Sequence, residues 1–267
     1  MYEFDIEKPS TVEAAVAALA DGDNMALAGG QTLIPTLKQR LAARETLVSL
    51  SGIDSLKHIG MDSGPDGDFW RIGAGMTHAH VALETEDGNF TTLSRVAGNI
   101  GDPAVRNRGT IGGSLANNDP SADYPAVVLG LGGTVVTNRR EIQSGDYFQG
   151  LFETALAEGE IITEIHLPVP ESSNYQKFVQ PASRFALVGV FVAKFADGVR
   201  VAVTGASEDG VFRWSEAETA LSGDFSASAV EDLQMEDGHM IEDLHGTRAY
   251  RAHLVKVMTR RAIQAAV

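Results

Sequence analysis

The sequence predicts an α+β protein in two parts that meet near residue 170. Three observations carry that expectation. Up to Leu167, segments with helix period and segments with strand period alternate, separated by glycine clusters. Pro168-Val169-Pro170 then interrupts the chain. Beyond it, apolar runs of strand length follow one another across short turns before a terminal helix. At 267 residues the chain is long enough for one large domain or two small ones.

The elements follow in order. Ser10-Thr11-Val12-Glu13 reads as a capping box opening a helix, with Val12, Ala15, Val16 and Leu19 as its apolar stripe. A short strand covers Met25 to Ala28. Gly29-Gly30-Gln31-Thr32 comes next, then a helix from Leu33 to about Leu41. Thr32 is its expected N-cap, and Pro35 sits in the first turn, where a missing N–H does no harm. Another strand runs from Thr46 to Leu50. Asp62 to Asp68 reads as a turn between strands near 57–61 and 69–74. Thr77 caps a helix, and a further helix covers about 92–100. Residues 101–123, rich in Gly, Asn, Asp and Pro, read as a long ordered loop, and such loops in compact domains are usually functional. A helix from Tyr124 to Leu131, a strand from Thr134 and a strand over 161–167 complete the first part. Glu171-Ser172-Ser173-Asn174 reads as a linker. Strands at 186–195, 199–205 and 211–214 follow, with Asp197-Gly198 as a tight turn, and the last helix spans about 247–266.

Composition narrows the function. There is no cysteine, so the chain itself carries no disulfide, thiolate zinc site or cysteine-ligated cluster. Any redox chemistry must use a bound cofactor. The net charge of −15 argues against nucleic-acid binding, which needs clustered Lys and Arg. No apolar run of about 18 residues predicts a transmembrane helix, and MYEFDIEKPS lacks the pattern of a signal peptide, so the expected compartment is the cytoplasm. No P-loop or nucleophile elbow is present. Gly73-Ala74-Gly75 fails G-x-G-x-x-G at His78, and no set of metal ligands surrounds His78 and His80, which read as surface or capping residues.

Two glycine clusters carry the chemistry. Ala28-Gly29-Gly30-Gln31-Thr32 lies between a strand and a helix start, where backbone can approach a ligand closely and helix N–H groups favour an anion. Thr110-Ile111-Gly112-Gly113-Ser114 pairs glycines with hydroxyls and could form an anion-binding nest. Taken alone, the first is also readable as an ordinary strand-to-helix turn. Asn117 and Asp123 follow, and Asp123 has two readings: a ligand for sugar hydroxyls or an N-cap for the next helix.

Together these segments resemble the FAD-binding medium subunits of the molybdenum hydroxylases, the family of the aerobic carbon monoxide dehydrogenase flavoprotein and the flavin domain of xanthine dehydrogenase. The resemblance covers nearly the whole chain. Its specific parts are LAGGQTLIPTLKQRLA (27–42), IGDPAVRNRGTIGGSLANNDPSADYPA (100–126) and the strand-rich C-terminal third. It implies a PCMH-type FAD-binding fold, as in the vanillyl-alcohol oxidase-like flavoproteins. That fold would take residues 1–170, in subdomains of about 1–53 and 54–170, followed by a C-terminal α+β domain over 171–267. It also implies that Ala28 to Thr32 and Thr110 to Ser114 hold the FAD pyrophosphate. Asp123 would contact the sugar part, with Asn117 a further cofactor-binding candidate in the same segment, Ile100 and Ile162 would sandwich the adenine, and Ile34 would lie near the flavin ring. Ile162 shares its strand face with Glu164 and His166, an odd place for an apolar residue unless something covers it. Relatives often place a basic residue near the flavin in the segment matching Lys177–Arg184, followed by an acidic–aromatic pair. Here Gln180 stands in for the basic residue and Phe185 is placed to pack beside the ring.

The resemblance implies an electron-transfer role. A large partner subunit would hold the molybdenum cofactor and a small one two [2Fe-2S] clusters, in a dimer of heterotrimers. FAD in this chain, held noncovalently, would pass their electrons to an external acceptor. No general acid or base is assigned to the chain. The competing readings are a self-contained FAD-dependent oxidase or reductase of related fold, and a non-catalytic nucleotide-binding module.

Overall fold

The computed structural model describes residues 1–65, 67–87 and 90–267. Four sheets organise them. Asp5–Glu7, Thr46–Ser49 and Asn24–Leu27 form a small parallel sheet in that order. Five strands form an antiparallel sheet in the order Ile59–Gly64, Gly67–Gly73, Ile162–Pro168, Thr134–Thr137 and Glu141–Gln143. Ser172–Val179, Ala186–Phe195, Gly198–Ser207 and Gly210–Arg213 form an antiparallel meander. Phe148–Gly150 and Glu153–Thr154 make a two-stranded ribbon.

The meander is covered on both faces, which explains the unbroken apolar run of Ala186–Phe195. Val188, Val190 and Val192 face a core closed by the helices Ser215–Gly223 and Arg248–Gln264. Phe191, Ala193 and Ala202 face the other way, into the core of the five-stranded sheet. The helix Tyr124–Leu131 lies between the two sheets, and all eight of its residues are buried. A helix that is apolar all round needs such a place. Gly130 permits the approach: a Cβ there would lie 2.6 Å from the Phe191 ring.

Several sequence expectations require correction. The first helix, Val12–Ala18, is capped by Thr11, which accepts from Ala14 N, and not by Ser10. Thr32 precedes the helix Leu33–Lys38 but makes no capping hydrogen bond, because its own backbone is near-helical. The stretch 101–123 is not one loop. It contains the helices Pro103–Arg106, capped by Asp102, and Ile111–Asn117, capped by Thr110. The second forms despite its glycines because Ile111 and Leu115, one turn apart, are both fully buried. The expected linker at 171–174 is the start of the strand Ser172–Val179, where Ser173 N donates to Val267 O and Asn174 Nδ2 to Ala265 O. The expected turn at 62–68 is mostly strand; its Asp66 lies outside the described residues. A bulge between Ile162 and Glu164 resets the strand alternation, so Ile162 turns inward with Ile165 and does not share a face with Glu164 and His166.

Candidate functional site: a cavity between two glycine segments

The two glycine segments meet. A Cβ on Gly29 would lie 2.7 Å from the Arg108 carbonyl carbon and 2.7 Å from Gly109 Cα, so backbone packs directly on backbone. A Cβ on Gly113 would come within 3.5 Å of the Ala28 side chain. Between the segments opens a cavity of about 850 Å³, a size suited to a dinucleotide-scale ligand.

The two segments do different work. In the second, every N–H of the first helical turn already has a partner. Ile111 N donates to Met76 O, Gly112 N to Ala74 O, Gly113 N to Thr110 Oγ1 and Ser114 N to Thr110 O. That segment is therefore a capped helix start and a cavity wall, and the expected nest of free N–H groups is not there. In the first segment, among the described residues, no protein acceptor takes the backbone N–H groups of Gly29, Gly30, Gln31 or Thr32. Gly30 has φ +71°, a left-handed conformation that glycine adopts without strain. A run of unpaired N–H groups at a cavity wall is a ready anion site.

Of the residues singled out in the sequence, Ala28, Gly29, Gly30, Gln31, Thr32, Thr110, Gly112, Gly113, Ser114, Asn117 and Asp123 line this cavity. So do Ile100, Ile162 and the half-exposed Phe185. Ile111 is buried behind the wall. Ile34 packs beneath Gly30, and Gln180 closes a turn with Phe185 and Arg184 through backbone hydrogen bonds; neither is among the lining residues.

Asp123 precedes the helix Tyr124–Leu131 but does not cap it. Its carboxylate accepts from the Tyr175 hydroxyl at 2.5 Å and from Lys177 Nζ at 3.0 Å. Burial pushes the Asp123 carboxyl up, and the Lys177 ammonium and Tyr175 hydroxyl act against that. Tyr175 is driven well above its ordinary range, first by burial and then by the charge of Asp123.

Sequence reasoning missed His78. It is buried, not a surface residue, and lines the cavity. Burial, helped by Arg106, pushes its imidazole down to about 4, so it is neutral at physiological pH. Its Nδ1 has no hydrogen-bond partner among the described residues. The signal that could have found it is Gly109, whose missing side chain leaves room for the His78 ring. No group of three or more His, Cys, Asp or Glu among the described residues could hold a metal, and none of their helices is long and apolar enough to cross a membrane.

Residues 2–170 match the family described as "FAD binding domain in molybdopterin dehydrogenase". The nicotine 6-hydroxylase medium subunit of Paenarthrobacter nicotinovorans is 34% identical, over 96% of this chain and 94% of its own. The carbon monoxide dehydrogenase medium chain of Afipia carboxidovorans is 32% identical, over 98% of this chain and 96% of its own. The chain belongs to the FAD-binding medium subunits of the molybdenum hydroxylases. Its fold agrees: reconstituted CO dehydrogenase from Oligotropha carboxidovorans superposes with a TM-score of 0.88 at 29% identity, covering 98% of this chain and 97% of that one. The residues of this medium subunit fit FAD. The unpaired N–H row at 29–32 suits a pyrophosphate, and the same cavity is lined by Ile100, Ile162 and Phe185.

Proposed function

We propose that this chain carries one noncovalent FAD and relays electrons from partner-held centres to an external acceptor. A large subunit bearing the molybdenum cofactor and a small subunit bearing two [2Fe-2S] clusters complete the unit, paired as a dimer of heterotrimers in the cytoplasm. When bound, FAD accepts electrons singly and returns them as a pair. The chain's own residues bind, orient and shield it. Residues 1–170, in subdomains of about 1–53 and 54–170, make most of the cavity, and residues 171–267 close one side.

Within the cavity, Ala28 to Thr32 receive the pyrophosphate on their N–H groups, and Thr110 to Ser114 form the opposing wall. Ile100 and Ile162 flank the adenine, and Asn117 and Asp123 lie at the sugar hydroxyls. Ile34, Gln180 and Phe185 belong to the ring end, where Phe185 is the one that lines the cavity. The observation that carries this reading is the row of unpaired N–H groups at Gly29 to Thr32.

The experiment is to purify the chain with its bound flavin and then denature it. All flavin is expected in the supernatant, since the chain has no cysteine for a thioether link. The native chain alone should show no substrate-dependent flavin reduction, and adding the two partner chains should restore it. Rapid reduction of the isolated chain by an organic substrate would replace this reading with a self-contained flavoenzyme.

A further inference from the structure

The family match ends at residue 170, yet part of the cavity wall is fixed by residues beyond it. The segment leading into Asp123 hangs on the C-terminal meander. Gly205 N donates to Pro120 O at 2.7 Å, and Ala186 N donates to Ser121 O at 3.4 Å. Thr204 Oγ1 reaches Pro120 O at 3.0 Å and Ala122 O at 2.8 Å. Asp123 itself is met by Tyr175 and Lys177, both on the strand Ser172–Val179. Lys177 Nζ has a second acceptor, Asn99 O at 3.2 Å, immediately before the cavity residue Ile100. The Lys177 side chain is 7% exposed and that of Asp123 5%. A buried lysine placed between two stretches of cavity wall is expensive to desolvate, and a surface position would have served a purely structural tie at less cost.

We propose that Lys177 and Tyr175 are positioning residues for FAD, holding Asp123 ionised and aimed at the cavity so that its carboxylate can accept hydrogen bonds from the sugar part of the cofactor. This rests on the flavoprotein reading above. The two residues act through Asp123. The Tyr175 hydroxyl lies over Gly189 of the neighbouring strand, where any Cβ would collide with it. The groups facing Asp123 are few: Lys177 and Tyr175 from the strand, and Tyr124, next along its own helix, which burial keeps protonated. Lys177 is thus the cation that opposes the burial of Asp123. Without it the carboxyl takes up a proton at higher pH and becomes a poor acceptor. FAD affinity should then be weak at low pH and recover as pH rises through the new pKa. In the wild type it should be flat.

The test measures FAD affinity of the full chain by flavin fluorescence from pH 6 to 9. Lys177→Met should bind roughly tenfold to a hundredfold more weakly near pH 6.5 and recover toward pH 9. Lys177→Arg should restore both affinity and the flat profile. Tyr175→Phe, which leaves both charges in place, should weaken binding by a smaller factor. If Lys177→Met unfolds because Asp123 is left unpaired, the double variant with Asp123→Asn removes that charge. It should refold and bind no worse than Asp123→Asn alone. Wild-type affinity in Lys177→Met at every pH would overturn the proposal. So would a pH-independent loss that simply adds to that of Asp123→Asn. If the wild-type chain fails to bind FAD at all, the flavoprotein reading itself falls, and this inference falls with it.

Discussion

Gly29→Ala tests whether the two glycine segments must touch. The new Cβ would stand 2.7 Å from the Arg108 carbonyl carbon and from Gly109 Cα, and closer still to the Arg108 oxygen. Carbon atoms pack best at roughly 3.5–4.0 Å, so the segments must separate by about 1 Å. All the colliding atoms belong to backbone, so no side chain can rotate away. Overpacking of this kind costs roughly 1–3 kcal/mol, which for a chain of this size lowers Tm by roughly 2–10 °C. The same shift moves the N–H row of Gly29 to Thr32 away from the wall at Thr110 to Ser114. FAD affinity should fall about tenfold or more. Differential scanning fluorimetry and flavin fluorescence titration read the two effects. Gly223→Ala is the control: nothing lies within 4 Å of its added Cβ, so stability should stay level or rise by up to about 1 kcal/mol. If Gly29→Ala matched Gly223→Ala in both assays, the packed-segment account of the cavity would be wrong.

Asp123→Asn should weaken FAD by about one to two decades, the loss of a charge-assisted hydrogen bond; the same titration checks it, with a lowered Tm as well, because the buried Lys177 ammonium loses its counter-charge. His78 should make the fold acid-sensitive. Its folded pKa is about 4 against 6.5 unfolded, so the unfolded chain binds the extra proton between those values and stability falls as pH drops from 6.5 toward 4. The gap amounts to roughly 3 kcal/mol, and His78→Gln should flatten that part of a urea-denaturation series run against pH. Arg251→Leu should destabilise by roughly 3 kcal/mol, since the buried guanidinium serves Leu187 O, Gly205 O and Asp243 Oδ2, each at 2.7 Å; equilibrium unfolding with little change in FAD stoichiometry is the expected outcome.

Much of the fold was legible where burial is written as periodicity. The run Tyr124 to Leu131 is apolar throughout, and it is a helix with those bounds. Ala186 to Phe195 is likewise a strand as read. Errors arose where distant contacts override local composition. The glycines at 112 and 113 suggest a loop, but Ile111 and Leu115 are buried one turn apart, and Thr110 supplies the cap. Asp102-Pro103, a cap followed by a first-turn proline, marked another helix that composition masked. Ser172 to Asn174 look like a linker, yet their partners are the last residues of the chain. The cavity residues near the two motifs were found because the motifs are local. The pairing of Asp123 with Lys177, 54 positions apart, has no local signature.

The position of the Tyr124–Leu131 helix bears on how the flavin module could be exchanged or trimmed. Its neighbours Phe191 and Ala202 come from the meander, and with Phe90 and Leu93 they belong to one continuous core. A fragment ending at residue 170 would present that oily helix to water and would aggregate or be degraded before it met a cofactor. A chimera that grafts the flavin-binding half onto a relative must carry the matching strands with it, because the seam between the halves is also the seat of Asp123.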